Sequence, residues 1–302
     1  MFDHIRIALV CYQVQDKYQH QTVKDEDGPL LAYLQEKGLN IHREIWNDAH
    51  VDWKQYDVVI LKAPWDYHEQ LDKFHNWLDK LQSHGCHVLN PVDVVKWNSD
   101  KKYLIEIAEK GLKIIPTLAY KAGSRIDLKQ LSDHFGSNTL VFKPSISAGA
   151  KDTFKVDATN PEETFSKIGK LIDHQDFLVQ EFSAEVQSVG EWSFLFFNGV
   201  FSHSILKTPC KGDFRVQHYF GGTIQSPLVN QHQIEQARAY VEKFAKDCLY
   251  ARVDGVMRGD VFYLMELELI EPLLFLAFSS EGEIAAQQRY YNALIDRLAM
   301  LN

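Results

Sequence analysis

The sequence predicts an α/β protein with more than one packed subdomain, and three observations carry that expectation. Between His4 and Pro91, apolar strand-like runs alternate with helix-like stretches, the pattern of a parallel sheet covered by helices. The 302 residues, 45% of them hydrophobic, exceed what a single core usually organises, so two or three subdomains are expected. From Ala251 to Pro272 the chain reads A-R-V-D-G-V-M-R-G-D-V-F-Y-L-M-E-L-E-L-I-E-P, two strands around a turn at Arg258-Gly259-Asp260.

The elements follow in order. His4 to Tyr12 is an apolar strand. Asp27 to Lys37 has Pro29 early and Gly38 just past its end, the punctuation of a helix. Ile41 to Trp46 and Asp57 to Lys62 are the next strands, the latter almost continuously apolar, as parallel strands are. Glu69 to His84 places Leu71, Phe74, Leu78 and Leu81 at helical spacing, and Val88 to Pro91 closes a fourth strand. Ligands of open parallel sheets sit beyond the carboxyl ends of strands. Trp65, Asp66 and Tyr67 occupy that place, with Lys62 at the strand's end. They form either a packed, capped helix start or a wall of an acceptor pocket.

Asn98 or Ser99 is expected to N-cap the next helix, which opens N-S-D-K-K with Lys101 and Lys102. Thr139 to Lys151 is a strand ending at Lys143-Pro144, followed by a loop of small residues from Ser145 to Ala150. Small residues let backbone N–H groups approach phosphate oxygens, although G-x-x-x-x-G-K-[ST] is absent; a hairpin with an exposed Ser-rich tip is the other reading. Phe177 to Phe182 is a strand, and Gly190 to Phe201 a hairpin about Asn198-Gly199. Lys207, Lys211 and Arg215 then gather ahead of Gly221-Gly222, as an anion site or a solvated basic loop. Asn230 to Leu249 is a scaffold helix and Gly282 to Leu301 the last one. His203 and His218 read as core or rim residues.

The hairpin from Ala251 carries the strongest chemical signal. With Met257 opposite Val261 across a three-residue loop, Arg252, Asp254, Glu266 and Glu268 share a face; a two-residue loop would put the acids of the two strands on opposite faces. Like charges on neighbouring strands cost up to about 1 kcal/mol per pair. Three carboxylates together therefore suit a hard cation such as Mg²⁺, with a solvated outer face as the plain alternative.

D-G-V followed by L-M-E-L-E and a Pro is similar to the magnesium signature of the ATP-grasp superfamily, which includes D-alanine–D-alanine ligase, bacterial glutathione synthetase and the ribosomal-protein glutamate ligases. The resemblance implies an ATP-grasp fold: an N-terminal pre-ATP-grasp α/β domain (1–92), a central lobe (93–183) and a C-terminal lobe (184–302). It implies that Asp254, Glu266 and Glu268 hold two Mg²⁺ (Mn²⁺ possible) on ATP; many members have Asn where Glu268 stands. Lys101 is the match for a phosphate-binding lysine, with Lys102 beside it. V-F-K-P-S-I-S-A-G resembles the phosphate loop, with Lys143, Ser145, Ser147, Ala148 and Gly149 around the phosphates. Gln180, often Glu in the family, takes the adenine edge with the backbones of Glu181 and Phe182, and Glu191 takes the ribose. G-D-F-R-x-x-x-x-x-G-G is similar to the glutathione synthetase and ribosomal-protein glutamate ligase branch. There the Arg215 position contacts the transferred phosphate and the acceptor carboxylate, and Arg252, Lys207 and Lys211 are further cations. W-D-Y resembles a subgroup near the cyclo-ligase of the D-cycloserine pathway.

The implied activity is ATP- and Mg-dependent ligation of a carboxylate to an amine through an acylphosphate, releasing ADP and phosphate, on a small amino-acid-like or peptide substrate. The alternatives are a phosphotransferase with a stable phosphorylated product and a non-catalytic nucleotide sensor. A net charge of −9 argues against nucleic acid as a nonspecific partner. No apolar run reaches the roughly 18 residues of a membrane span, and the N-terminal run is too short for a signal peptide. Four scattered cysteines read as reduced thiols of a cytoplasmic protein. A homodimer is compatible with these features; the substrate, and whether the reaction is intramolecular, are not legible.

Overall fold

The computed structural model describes residues 2–13, 25–210, 212–216 and 221–301; Lys211 and His218 lie outside them. The first sheet is parallel. It contains β1 (Arg6–Cys11), β2 (Asn40–Ile45), β3 (Val58–Ala63) and β4 (His87–Leu89) in the order β2-β1-β3-β4. All six residues of β3 are buried, because helices cover both faces. α1 (Asp27–Glu36) packs on one face with the last helix of the chain, and α2 (Leu71–Ser83) and α3 (Val92–Asn98) pack on the other. The helix expected from Glu69 begins at Leu71, since Tyr67–Glu69 form a 3-10 turn. Asn98 is not an N-cap: it ends α3, and α4 (Tyr103–Glu109) starts with no side-chain cap.

The second sheet is antiparallel, β5-β8-β6-β7, from β5 (Thr117–Tyr120), β6 (Thr139–Pro144), β7 (Phe154–Asp157) and β8 (Phe177–Glu181). α5 (Leu128–Phe135) and α6 (Glu162–Ile172) cover one face through Leu131, Ile168 and Ile172, packed on Leu140, Phe142 and Val179.

After α7 (Glu185–Ser188) comes the third sheet, also antiparallel. Its strands are β9 (Glu191–Phe197), β10 (Val200–Thr208), β11 (Thr223–Gln225), β12 (Tyr250–Arg258) and β13 (Val261–Glu268), in the order β11-β10-β9-β12-β13. Asn198 and Gly199, at φ +48° and +75°, make the tight turn between β9 and β10 that their sequence announces. α8 (Gln231–Phe244) starts with a capping box between Asn230 and Gln233 and packs Ala237, Tyr240 and Val241 on this sheet. α9 (Glu283–Ala299) places Tyr290, Leu294 and Leu298 against the first sheet.

The β12–β13 register corrects the expected one. The loop has two residues: Arg258 faces Val261 and Met257 faces Phe262. Taken alone, that parity would separate the acids. A bulge restores them: Gly255 faces Leu264, but Asp254 faces Glu266, so Met265 is the extra residue. Beyond it Arg252 faces Glu268, and the four charged residues share a face by a route different from the expected one. Gly255 is needed beside the bulge, since a Cβ there would lie 2.2 Å from the Tyr263 carbonyl oxygen.

β13 is a sheet edge, and its free backbone groups are taken up by other parts of the chain. Leu264 N–H donates to Lys113 O (3.0 Å) and Ile115 N–H to Leu264 O (2.9 Å). The Tyr103 hydroxyl serves both polar groups of Leu267, at 3.1 and 2.9 Å. Asn98 donates to Leu267 O (2.8 Å) and accepts from Leu269 N–H (3.1 Å). Asn90 donates to Leu269 O (2.8 Å) and Tyr250 O (2.9 Å). The acid-bearing strand is thus held rigidly between the first sheet and α4.

Candidate active site

Two connected cavities meet at the acid face. The smaller cleft lies between the second and third sheets and is lined by Lys143, Gln180, Glu181, Phe182, Arg215 and Met265. The larger chamber, about 740 Å³, lies between the acid face and the first sheet. Lys101, Ser147 to Ala150, Glu191 and Glu266 border both. Residues from Lys101 to Glu268 in the sequence thereby surround one continuous space.

The strand end that carries Lys143 leaves it buried in the cleft. Among the described residues no carboxylate lies within ion-pair distance of it; burial first, and then the nearby Lys101 charge, lower its pKa against the pull of Glu266. A buried cation without a salt-bridge partner is costly, and an anionic ligand relieves that cost. The adjoining loop is pinned at its start, with Lys101 N–H donating to Ser145 O (2.7 Å) and Ser145 N–H to Asp176 O (2.9 Å). Its far end reaches the first sheet's side, where Lys151 pairs with Glu69 at 3.4 Å.

Lys101 and Lys102 separate cleanly. Lys101 is buried, 3.1 Å from Glu266, and donates to the Ser147 carbonyl. Lys102 pairs with Asp100 and Asp176, each at 2.9 Å, and borders neither cavity.

The acid face is electrostatically interlocked. Arg252 donates to both carboxylate oxygens of Asp254 (3.0 and 2.8 Å), to Glu268 and to Leu273 O (3.0 Å). Lys207 bonds Glu191 and, at 3.2 Å, Asp254. Burial opposes the Asp254 charge, but Arg252 and Lys207 outweigh it and hold its pKa at about 2. Glu268 is pushed up to about 7 by burial, with Asp254 and Glu266 adding to it against Arg252. Burial likewise opposes the Lys207 charge, and Asp254 and Glu191 prevail to raise its pKa. Among the described residues no three of these carboxylates form a ready-made metal cage. Their oxygens suit a hard cation, which needs the cation–carboxylate pairs to loosen as it enters.

On the side of the smaller cleft, Gln180 donates to Thr117 Oγ1 (2.8 Å), Glu181 pairs with Arg258, and the Phe182 ring lies 3.8 Å from Lys155 Nζ. Arg215 clasps Asp213 with two nitrogens (3.2 and 2.8 Å), and those bonds lower the Asp213 pKa to about 2. Its guanidinium borders the smaller cleft but not the chamber, whereas Arg252 and Lys207 border the chamber.

The loop after β3 divides. Trp65 and Tyr67 border the chamber. Asp66 is buried under Trp46, accepting from its Nε1 at 2.6 Å, and Lys62 is buried between Glu26 (3.0 Å) and Asp27 (2.9 Å). These two are structural. His203 is a core residue whose imidazole bonds Leu274 O (2.9 Å). Glu271, which the sequence reading passed over, borders the chamber, and burial, reinforced by Glu268, raises its pKa strongly. Its signal was present: an acid three positions past Glu268 and directly before Pro272, where the strand has already ended.

Residues 7–90 match a family model described as the N-terminal domain of D-cycloserine synthetase DcsG. The cycloserine biosynthesis protein DcsG of Streptomyces lavendulae is 28% identical over 290 residues, covering 89% of this chain and 93% of that protein. The crystal structure of D-cycloserine synthetase DcsG superposes with a TM-score of 0.81 at 27% identity, over 97% of this chain and 99% of that one. D-alanine–D-alanine ligase from Bacillus anthracis complexed with ATP superposes with a TM-score of 0.71 at 15% identity, over 98% of both chains, a likeness of fold. Among the described residues no helix is long and apolar enough to cross a membrane. Over nearly its full length the chain is thus similar in sequence and fold to a D-cycloserine synthetase, and it shares the ATP-grasp fold of D-alanine–D-alanine ligase.

Proposed function

We propose that the chain activates the carboxylate of a small amino-acid-like substrate with Mg·ATP, and that an amine then displaces phosphate from the resulting acylphosphate. The observation that carries this reading is the common border of the two cavities. Lys101, Ser147 to Ala150, Glu191 and Glu266 stand between the smaller cleft and the larger chamber. A γ-phosphate at that border would face both ADP and an acceptor. In this reading adenine lies along Gln180 to Phe182, between the central lobe and the C-terminal lobe, and Glu191 takes the ribose. Lys143 and Lys101 take phosphate oxygens. Asp254, Glu266 and Glu268 would hold Mg²⁺, which when bound neutralises phosphate charge.

In the first step a carboxylate oxygen of the acceptor attacks the γ-phosphorus and the bond to the ADP oxygen breaks. In the second, the amine attacks the acyl carbon, phosphate leaves with that carboxylate oxygen, and the amine's proton passes to solvent or a nearby base. The two anions must be brought together against repulsion, and the buried cations Lys143, Lys101 and Lys207 lower that cost in a site sheltered from water. Arg252, gripped on the chamber side, holds Asp254 and Glu268 in place. The likeness to a D-cycloserine synthetase favours amine and carboxylate within one small molecule, and a chamber of about 740 Å³ has room for one. With an ¹⁸O-labelled carboxylate substrate, label is expected in the released phosphate. Unlabelled phosphate would mean that water attacks ATP, and a stable phosphorylated product would mean a phosphotransferase.

A further inference from the structure

The wall of the chamber about the loop after β3 carries polar groups that the catalytic scheme leaves unused. Tyr67 is only 3% exposed, its ring fixed 5.1 Å from Phe74. Among the described residues nothing hydrogen-bonds its hydroxyl, although buried tyrosine hydroxyls ordinarily find partners. Glu271 is the charged group that acts most on it. Glu271 itself is fixed through its backbone, whose carbonyl accepts from Trp65 Nε1 at 3.1 Å, while its carboxylate has no partner among the described residues. The nearest cations are already engaged: Lys101 by Glu266 and the Ser147 carbonyl, Arg252 by Asp254, Glu268 and the Leu273 carbonyl.

His68 adds to the same wall. Its Nδ1–H donates to Trp65 O at 3.0 Å, and burial together with Lys151 keeps the ring neutral. That leaves an Nε2 lone pair, buried and without a partner among the described residues. A carboxylate, a phenol oxygen and an imidazole lone pair are all hydrogen-bond acceptors, and Trp65 and Phe275 give the neighbouring lining π faces. Burial and Glu268 favour the neutral Glu271 carboxyl while the chamber is empty, and a ligand that brings several N–H donors and one positive charge restores its ionised, accepting form beside the aromatic faces.

We infer that Glu271 and Tyr67 form an ammonium-binding subsite in the chamber, which orients an amino-acid-like acceptor by a primary amine and leaves its carboxylate toward the acid face and the cleft. This rests on the ligase reading above, and it names the part of the substrate that the reading leaves open. The amine held at this subsite is a recognition group, since Glu271 keeps it charged and hence non-nucleophilic while bound.

The test is a calorimetric titration of the full chain saturated with Mg·ADP. Three probes of similar size separate the charges: serine, ethanolamine and glycerate, with serine and glycerate as both enantiomers. Serine and ethanolamine are expected to bind at least about tenfold more tightly than glycerate, the scale of one charge-assisted hydrogen-bonded contact. Glu271→Gln, which preserves size, should abolish that preference without changing Mg·ADP affinity, and Tyr67→Phe should weaken ethanolamine roughly threefold or more. Equal binding of glycerate and serine, no binding of ethanolamine, or a preference that survives in E271Q would overturn the subsite. So would a loss of Mg·ADP affinity in E271Q, which would make Glu271 part of the metal site. Failure of the ligase reading shows separately, as a wild-type chain that does not bind Mg·ADP.

Discussion

Glu266 is the residue on which both cavities depend, because it borders each and pairs with Lys101. Glu266→Gln keeps the side chain's size and removes its charge. We expect turnover to fall at least about 10²-fold, on the scale of losing one charge-stabilising group, with the far-ultraviolet dichroism unchanged. Phosphate release within a few-fold of the wild type at saturating Mg·ATP would remove Glu266 from the site. His203 sets a different kind of expectation. Burial, with Arg289 adding to it, lowers its pKa from 6.5 to about 4, so the folded state keeps it neutral. As pH falls below 6.5 the unfolded chain binds a proton that the folded chain refuses. Stability therefore declines between pH 6.5 and 4 and is unaffected by this group above 6.5; the full loss is about 3 kcal/mol. Urea unfolding of wild type and His203→Gln at pH 7 and pH 4.5 measures it, and equal pH dependence in the two would contradict the assignment.

The hairpin of β12 and β13 shows how one residue decides a face. Its two-residue loop and its bulge at Met265 each shift the parity of the strand, and together they return Glu266 and Glu268 to the side of Asp254. Deleting Met265 only straightens the ladder and leaves Asp254 opposite Glu266, whereas inserting an alanine between Met265 and Glu266 adds one further shift. With the bulge kept, the inserted alanine faces Asp254 and both glutamates turn to the other face, where Leu267 and Leu264 now pack into the core. The insertion should lose at least about 10²-fold in turnover, whereas Met265→Ala, which keeps the residue count, should remain active. An insertion variant as active as M265A would show that residue count does not control the face.

At the scale of the whole molecule, the acid strand is a seam between the first and third sheets. Asn90, fully buried, holds it from three sides: it donates to Tyr250 O and Leu269 O and accepts from Leu249 N–H at 2.7 Å. Asn90→Ala leaves three buried backbone groups without that partner. At roughly 1–3 kcal/mol per orphaned group, with partial relaxation, we expect a loss of about 3 kcal/mol. Denaturant unfolding would report it as a lower midpoint, and a change below about 0.5 kcal/mol would mean that the seam is held elsewhere. The same rigidity has a functional sense, because the chamber is formed by the first sheet's loops against the third sheet's acid face. Loosening the seam would widen the space in which the acceptor must be oriented.

Local pattern alone determined a good deal. The alternation of strands and helices before Pro91, the turn at Asn198-Gly199 and the periodicity of α8 each depend on neighbours in sequence, and each forms as its residues dictate. The order of motifs from Lys101 to Glu268 also announced the ATP-grasp fold. What distant parts of the chain supply was not legible. Nothing near Lys101 distinguishes it from Lys102 until β13 brings Glu266 to one of them and Asp176 takes the other. Lys62 and Asp66 looked as available as Trp65 and Tyr67 until Glu26, Asp27 and Trp46 buried them. Asn98 looked like a helix cap because a cap is a local device, but it serves a strand edge at Leu267 and Leu269. Periodicity assigns a residue to a face of its own element; which elements meet, and therefore which faces become a site, is decided only when the three sheets pack.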